Sequence, residues 1–123
     1  MTTTADRASD GQSRNTRAQL YKGVLEMALL CLLQGESQYG LKILELLRSE
    51  AGLNIAEGTL YPLLYRLEKQ AWIAAEWRLE QAASHPRKYY TLTRKGQTEL
   101  STQLRDWNAM TRKLGSFLKR GHQ

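Results

Sequence analysis

Residues 58–68 read Gly58-Thr-Leu-Tyr-Pro-Leu-Leu-Tyr-Arg-Leu-Glu68, and they carry the strongest structural signal in the chain. Their leucines recur at the spacing of one helix face, which predicts a short helix over residues 57–70 with one buried side. The other side carries Thr59, Tyr61, Tyr65, Arg66 and Lys69. Tyrosines and a threonine are unusual on a face that water alone would cover, so this side indicates a binding partner.

A second informative stretch runs from Pro86 to Gly96, Pro86-Arg-Lys-Tyr-Tyr-Thr-Leu-Thr-Arg-Lys-Gly96. It predicts a strand that begins with two adjacent cations, Arg87 and Lys88. An alternating run over residues 72–79 predicts the partner strand, and the polar residues 81–86 predict the turn between them. The pair is therefore predicted to be a β-hairpin with a basic tip.

Two helices are predicted upstream, over residues 16–34 and from the N-cap Ser37 to about residue 51, where Gly52 should stop the second. With the helix over residues 57–70 this makes a helix-turn-helix unit. The predicted fold is mainly α with a small β-hairpin, a winged helix-turn-helix in which the hairpin over residues 72–93 is the wing. We expect a disordered tail over residues 1–16, a DNA-binding domain over 17–93, and a C-terminal dimerisation helix with a short tail over 94–123.

Two apolar surfaces indicate that the chain pairs with a second copy. The first helix is apolar nearly all round in its second half. The last helix has a row of mainly apolar residues with steps of four and three, which we call the apolar seam: Leu100, Leu104, Trp107, Thr111, Leu114 and Leu118. Both helices are therefore predicted to dimerise. The predicted interface residues are Leu20, Val24, Met27, Leu100, Leu104, Trp107, Leu114 and Leu118.

Composition narrows the class of function. The 123 residues carry a formal net charge of +6, which favours a polyanionic partner. The single cysteine, Cys31, is expected to be a small buried side chain, and a reducing cytoplasmic location fits. No apolar run is long enough for a membrane span. The two histidines and the cysteine lie in unrelated segments, so we expect no metal site, no cofactor and no enzymatic activity.

These features predict contacts to double-stranded DNA. A helix fits the major groove, where base edges are distinguishable, and a basic hairpin tip suits phosphate or the minor groove. The start of the second helix, with its free N–H groups, suits phosphate. The predicted DNA-contacting residues are Ser37, Tyr39, Gly40, Lys42, Thr59, Tyr61, Pro62, Arg66, Arg87 and Lys88. Tyr65 could instead pack against the wing, and Tyr39 could belong to the core.

Trp107 lies at the centre of the apolar seam, where it would face its symmetry mate in a dimer. Two tryptophans could simply close the interface. Alternatively, they could flank a slot for a planar aromatic ligand, lined also by Met27, Leu20 and Thr111, because an aromatic ring and a flexible methionine suit adaptable apolar recognition. Both alternatives stay open at the level of the sequence.

The chain resembles the PadR family of bacterial transcription regulators over about residues 18–118. The resemblance is carried by Tyr39-Gly40, by residues 58–68, and by Arg87-Lys88-Tyr89-Tyr90-Thr91-Leu92-Thr93 followed by Gly96. It departs from the family pattern at Ala56, Ala71 and Pro86. The resemblance implies a homodimeric repressor on a pseudo-palindromic operator, released in some members by small aromatic or lipophilic molecules.

Two other functions are compatible with parts of the sequence. One is a ligand-binding dimer, a sensor of drugs or phenolic compounds, whose own DNA contacts are vestigial. The other is a protein-interaction module that uses the wing and the seam. The basic wing and the Thr-Leu-Tyr-Pro face favour phosphates over a protein partner.

Overall fold

The computed structural model describes residues 22–80 and 84–121 of the chain. The first described helix, α1, covers residues 22–32. The later elements are strand β1 (Gln38–Tyr39), helix α2 (Gly40–Ala51), helix α3 (Glu57–Lys69), strands β2 (Ile73–Arg78) and β3 (Arg87–Leu92), and helix α4 (Arg94–Arg120). Over these ranges the protein is mainly helical with one small sheet, as the sequence predicts.

Helix α3 ends one residue before its predicted end and buries the predicted face. Leu60, Leu63, Leu64 and Leu67 are all buried in the core. Pro62 lies in the second turn of the helix, where its ring nitrogen cannot donate the usual hydrogen bond to the carbonyl oxygen of residue 58. Ala56 occupies the N-cap position without a side-chain hydrogen bond.

Helix α2 begins later than its predicted start. Ser37 is not its N-cap, since the helix starts at Gly40 and Tyr39 occupies the cap position without a side-chain bond. The reason is that Gln38 and Tyr39 are extended and pair with β3. The end of the helix is as predicted, because Gly52 adopts a left-handed conformation with φ of 68°.

The sheet contains the predicted hairpin and one further strand. Its order is β1-β3-β2, and both pairings are antiparallel. In the hairpin Ile73 lies opposite Leu92 and Arg78 lies opposite Arg87. Strand β1 adds to the other edge of β3, so the start of α2 is attached directly to the wing.

A hydrogen-bonded junction fixes where α4 leaves the sheet. The Thr93 backbone N–H donates to the Trp72 carbonyl oxygen at 3.0 Å, and its hydroxyl donates to the Ala71 carbonyl oxygen at 2.6 Å. The same hydroxyl accepts from the Gly96 backbone N–H at 3.0 Å and so caps the helix. A side chain on Gly96 would clash with the Trp72 carbonyl. The ends of α3, β2, β3 and α4 therefore meet at one point.

The core lies between α1, α2, α3, the inner face of the sheet and the start of α4. Leu29, Leu30, Ile43, Leu47 and Leu100 are among its fully buried side chains. The burial of Leu100 corrects its assignment to the dimer interface, because its own chain covers it completely. Val24, Met27 and Leu104 are partly buried against this core. The exposed part of the apolar seam therefore begins beyond residue 104.

Several other predictions meet different outcomes. Cys31 is exposed, not buried, since it lies on the outer side of α1. The predicted tail over residues 1–16 and the predicted interface residue Leu20 lie outside the described residues.

Within the described ranges, no helix is long and apolar enough to span a bilayer, and no cluster of three or more His, Cys, Asp or Glu side chains could bind a metal ion.

Candidate nucleic-acid interface

The outer side of α3 presents a ridge of exposed side chains, Tyr61, Pro62, Tyr65 and Lys69, which we call the α3 ridge. Tyr61 is 41% exposed and Tyr65 is 61% exposed. The Lys69 ammonium lies 5.1 Å from the centre of the Tyr65 ring, a cation–π contact. Tyr65 therefore does not pack against the wing. The side of the helix opposite the buried leucines offers two aromatic rings and a cation to a partner.

Tyr61 is held in place by the start of α2. Its side chain crosses directly over Gly40, and a Cβ atom on Gly40 would lie 2.8 Å from ring atom Cε1 of Tyr61. Only a glycine allows this contact, which explains why a bare backbone position follows Tyr39. Partial burial and the nearby Glu57 carboxylate raise the pKa of Tyr61. Its hydroxyl therefore keeps its proton at neutral pH and can donate a hydrogen bond to a phosphate or a base edge.

Thr59 and Arg66 lie on the flank of α3 that faces α1. Together with Pro62 they border a cleft of about 440 Å³ between α1 and α3. Arg66 Nη2 forms an ion pair with Glu26 Oε2 of α1 at 3.0 Å, and the Arg66 side chain is still 50% exposed. Arg66 is therefore near the α3 ridge but is partly engaged within its own chain.

The outer face of the sheet carries a cluster of aromatic and cationic side chains, which we call the outer cluster. It consists of Ser37, Tyr39, Arg78, Arg87 and Tyr89. The Arg87 guanidinium lies 4.5 Å from the centre of the Tyr39 ring, and the Arg78 guanidinium lies 4.7 Å from that of Tyr89. The two rings meet edge to face with centroids 5.5 Å apart. Arg78 Nη2 also donates to Ser37 Oγ at 3.3 Å.

The outer cluster joins residues that the sequence assigns to two separate contacts. Ser37 and Tyr39 are predicted at the start of α2 and Arg87 in the wing, yet the structure stacks them together. The tyrosine that completes the stack, Tyr89, is buried and donates to Glu80. This hydrogen bond and burial raise its pKa. Two guanidinium groups are thereby held on a rigid aromatic base. Arg78 also pairs with Glu76 at 3.4 Å, so Arg87 is the one better suited to phosphate.

The two adjacent wing cations point to opposite faces of the sheet, because neighbouring residues in a strand alternate. Arg87 belongs to the outer cluster. Lys88 points to the inner face, where its ammonium lies 3.6 Å from a Glu68 carboxylate oxygen of α3 and 5.6 Å from the centre of the Tyr90 ring. Lys88 therefore links the wing to α3, and Arg87 is the more accessible of the two.

The remaining predicted contact and one missed residue complete the surface. Lys42 is partly exposed on α2 and pairs with Glu45 at 3.6 Å. Arg78 is absent from the predicted set, although it lies opposite Arg87. The missing signal is the strand register, which the sequence does not specify across the turn.

A second surface lies on the far side of α1, where α1 and α4 border a cleft of about 700 Å³. Met27, Trp107 and Thr111 line it, as three of the four residues predicted for an aromatic slot. Met110 and Leu114 of α4 also line the cleft and are exposed, and α4 exposes Phe117 and Leu118 beyond it. The structure thus brings these three predicted slot residues together and leaves the apolar side chains of α4 after residue 104 exposed.

Comparison with known proteins identifies the family to which the chain belongs. The transcriptional regulator PadR-like family matches residues 29–102, over half of the chain. The chain belongs to the PadR family. The matched segment contains the α3 ridge and the outer cluster, and it ends within α4. The exposed seam of α4 lies after it.

Solved PadR-family structures share the fold. A PadR family transcriptional regulator from Eggerthella lenta is 33% identical, with 91% of this chain and 96% of that chain covered and a TM-score of 0.78. A PadR-like transcription factor from Bacteroides fragilis is 37% identical, with 84% and 98% covered and a TM-score of 0.69. Bacillus subtilis PadR in complex with operator DNA is 29% identical, with 66% of this chain and 46% of that chain covered and a TM-score of 0.60.

Proposed function

We propose that this PadR-family transcriptional regulator binds double-stranded operator DNA in a sequence-specific manner. The observation that carries the proposal is the α3 ridge, because its helix is anchored by four buried leucines and turns two tyrosines, a proline and a lysine outward. A rigid helix with this face suits the major groove. The similarity to Bacillus subtilis PadR, whose structure contains operator DNA, supports the same mode.

In this proposal the residues divide between bases and backbone. Thr59, Tyr61 and Pro62 lie near the start of α3 and contact base edges, where an apolar group can pack on a thymine methyl. Arg66 contacts phosphate, as does Lys42 in the first turn of α2. The sequence predicts a phosphate contact for Gly40 as well, but Gly40 is buried beneath the Tyr61 side chain and instead positions that ring. The outer cluster brings Arg87, with Ser37 and Tyr39, to the adjoining backbone or minor groove. Lys88 supports the wing and adds positive charge.

We further propose that the protein acts as a homodimer on a pseudo-palindromic operator. Residues 17–93 form the DNA-binding unit and residues 94–123 carry the main dimerisation helix. The support is the open seam of α4, since monomeric domains rarely leave such a row of large apolar side chains in water. Trp107, Leu114 and Leu118 are the central contacts, with Val24, Met27 and Leu104 beside them. A dimer bound near a promoter represses by blocking transcription.

The test of DNA binding is a footprint and mobility-shift assay on the DNA upstream of the protein's own gene, across a salt series. We expect a two-fold symmetric protected site and a steep loss of affinity with salt. Tyr61→Ala should weaken operator binding much more than random-duplex binding. Tyr61→Phe, which keeps the ring over Gly40, should isolate the contribution of the hydroxyl. Equal losses of affinity for operator and for random DNA would exclude a role for Tyr61 in recognising the operator sequence.

A second candidate function is effector sensing at the cleft between α1 and α4. The observation that favours it is the position of Met27, Trp107 and Thr111 around a space large enough for a planar aromatic molecule. Calorimetric titration with a hydroxycinnamic acid and with a flat lipophilic dye tests it. Binding that Trp107→Ala abolishes, and that lowers operator affinity, supports an inducer. Binding without any operator footprint supports a sensor with vestigial DNA contacts.

A further inference from the structure

Glu26 stands where three helices meet. It lies on α1, and its carboxylate Oε2 accepts from Arg66 Nη2 of α3 at 3.0 Å. Its other oxygen, Oε1, accepts from Gln103 Nε2 of α4 at 2.9 Å. One carboxylate therefore connects the helix that carries the α3 ridge to the helix that carries the seam.

The Glu26 side of this connection is fixed more firmly than the Arg66 side. The Glu26 side chain is 21% exposed, whereas that of Arg66 is 50% exposed. The Gln103 amide is itself held, because it also donates to Glu99 Oε2 at 2.8 Å. Arg66 is therefore the partner that can leave the pair while Glu26 stays in place.

Arg66 has a second set of neighbours on the proposed DNA-binding side. It borders the same cleft as Thr59 and Pro62. A guanidinium group has five N–H donors, and the pair with Glu26 engages one of its nitrogens. The group can thus turn toward a phosphate close to the α3 ridge. While it stays paired, however, the carboxylate cancels the charge that would attract DNA.

We propose that Glu26 is a positioning residue that controls how much of the Arg66 charge is available to the DNA backbone. This inference rests on the proposed DNA-binding function and adds a residue that weakens binding to random DNA. An exposed ion pair is weak, so a correctly placed phosphate on the operator can displace Glu26. A loosely placed phosphate on random DNA displaces it less well. Glu26 therefore favours discrimination over total affinity.

The same geometry gives α4 an influence on DNA contact. Gln103 lines the cleft between α1 and α4, as does Glu26 itself. A shift of α4 relative to α1 moves the amide that holds Glu26 and so changes its hold on Arg66. The carboxylate thus forms a direct polar connection between that cleft and α3.

The experiment compares Glu26→Gln with the unmodified protein. Glutamine has the shape of glutamate without its charge. The double variant Glu26→Gln, Arg66→Gln removes the freed cation. The control, Glu50→Gln, makes the same change of net charge at an exposed position at the end of α2. Affinity for operator and for a random duplex is measured by fluorescence anisotropy over a salt series, and each variant's melting temperature is recorded.

We expect Glu26→Gln to bind the random duplex roughly three- to tenfold more tightly, with a smaller gain on operator. For the random duplex, the slope of log affinity against log salt should steepen by about 0.9 per subunit, the effect of one more neutralised phosphate, and for the operator it should change less. The double variant should lose this gain, and Glu50→Gln should leave the slope unchanged.

Two results would overturn the inference while leaving the proposed DNA-binding function intact. An unchanged slope with a lower melting temperature would make Glu26 a structural clamp only. An equal change in Glu50→Gln would attribute the effect to net charge. If the unmodified protein binds no duplex, the proposed DNA-binding function fails, and the inference fails with it. If it binds operator normally and only the slope comparison fails, the inference alone is rejected.

Discussion

Helices α3 and α4 treat their apolar side chains in opposite ways. Helix α3 buries all four leucines of its inner face within one chain. Helix α4 buries Leu100 in its second turn and then leaves Met110, Leu114, Phe117 and Leu118 exposed over its remaining length. The difference shows that α3 completes its apolar packing within a single chain, whereas the far half of α4 leaves its large apolar side chains uncovered.

The largest expected effect is on the free energy of unfolding, and it should differ strongly between a leucine of α3 and a leucine of α4. Leu64→Ala removes a fully buried side chain and should lower the free energy of unfolding by about 2–5 kcal/mol. Leu118→Ala changes a side chain that is 54% exposed and should alter monomer stability by less than about 0.5 kcal/mol. Urea denaturation at low protein concentration measures both. Similar losses would show that α4 packs against its own chain.

A charge in the open seam should act on assembly and spare the fold. Leu114→Asp places a carboxylate among the exposed apolar side chains, and we expect it to weaken self-association by about 2–4 kcal/mol. Ser116→Asp adds the same charge on the opposite side of α4 and serves as the control. Sedimentation equilibrium gives both association constants. Equal weakening would locate the contact elsewhere on α4.

The contact between α2 and α3 should be sensitive to a single methyl group. Gly40→Ala forces the new Cβ into Tyr61, so the ring must move or the helices must separate, at a cost of about 1–3 kcal/mol. Operator affinity should fall because Tyr61 leaves its position. Gly58→Ala, where a Cβ meets nothing within 4 Å, should not destabilise the fold. Thermal melts and mobility shifts together test the pair. Normal operator binding by Gly40→Ala would contradict the role of this contact.

The smallest expected effect concerns backbone strain at Ala71. Ala71, just after α3, has φ of 62°, a left-handed conformation that costs a residue with a Cβ atom about 1–2 kcal/mol. Ala71→Gly should therefore stabilise the protein by about 0.5–1 kcal/mol after the flexibility of glycine is subtracted. Ala74→Gly, in strand β2, should destabilise it. The midpoints of urea unfolding measure both, and a loss of stability in Ala71→Gly would contradict the strain.

The sequence predicts the helices well because each has its own local signals. The leucine spacing defines α3, Gly52 ends α2, and Thr93 precedes α4 as a side-chain cap. Strand β1 has no such signal, because two residues become a strand only through pairing with Tyr89 and Tyr90 about fifty positions later.

The candidate site is predictable in part for a related reason. Residue types identify the α3 ridge, but the outer cluster depends on which strand residues face each other, so Arg78 escapes prediction. A seam with steps of four and three also does not reveal which chain covers it. Leu100 and Leu114 follow one pattern, yet the first is buried within its own chain and the second is exposed.

The junction at Thr93 has a mechanical consequence. Three hydrogen bonds and the close approach of Gly96 to Trp72 attach α4 rigidly to the end of α3. The 27 residues of α4 form an arm roughly 40 Å long. Tilting this arm by about 5° at the junction displaces its far end by about 3–4 Å. Conversely, a displacement of about 3–4 Å at the far end of α4 rotates α3 by only about 5°, so large movements at the tip of α4 become small rotations of α3.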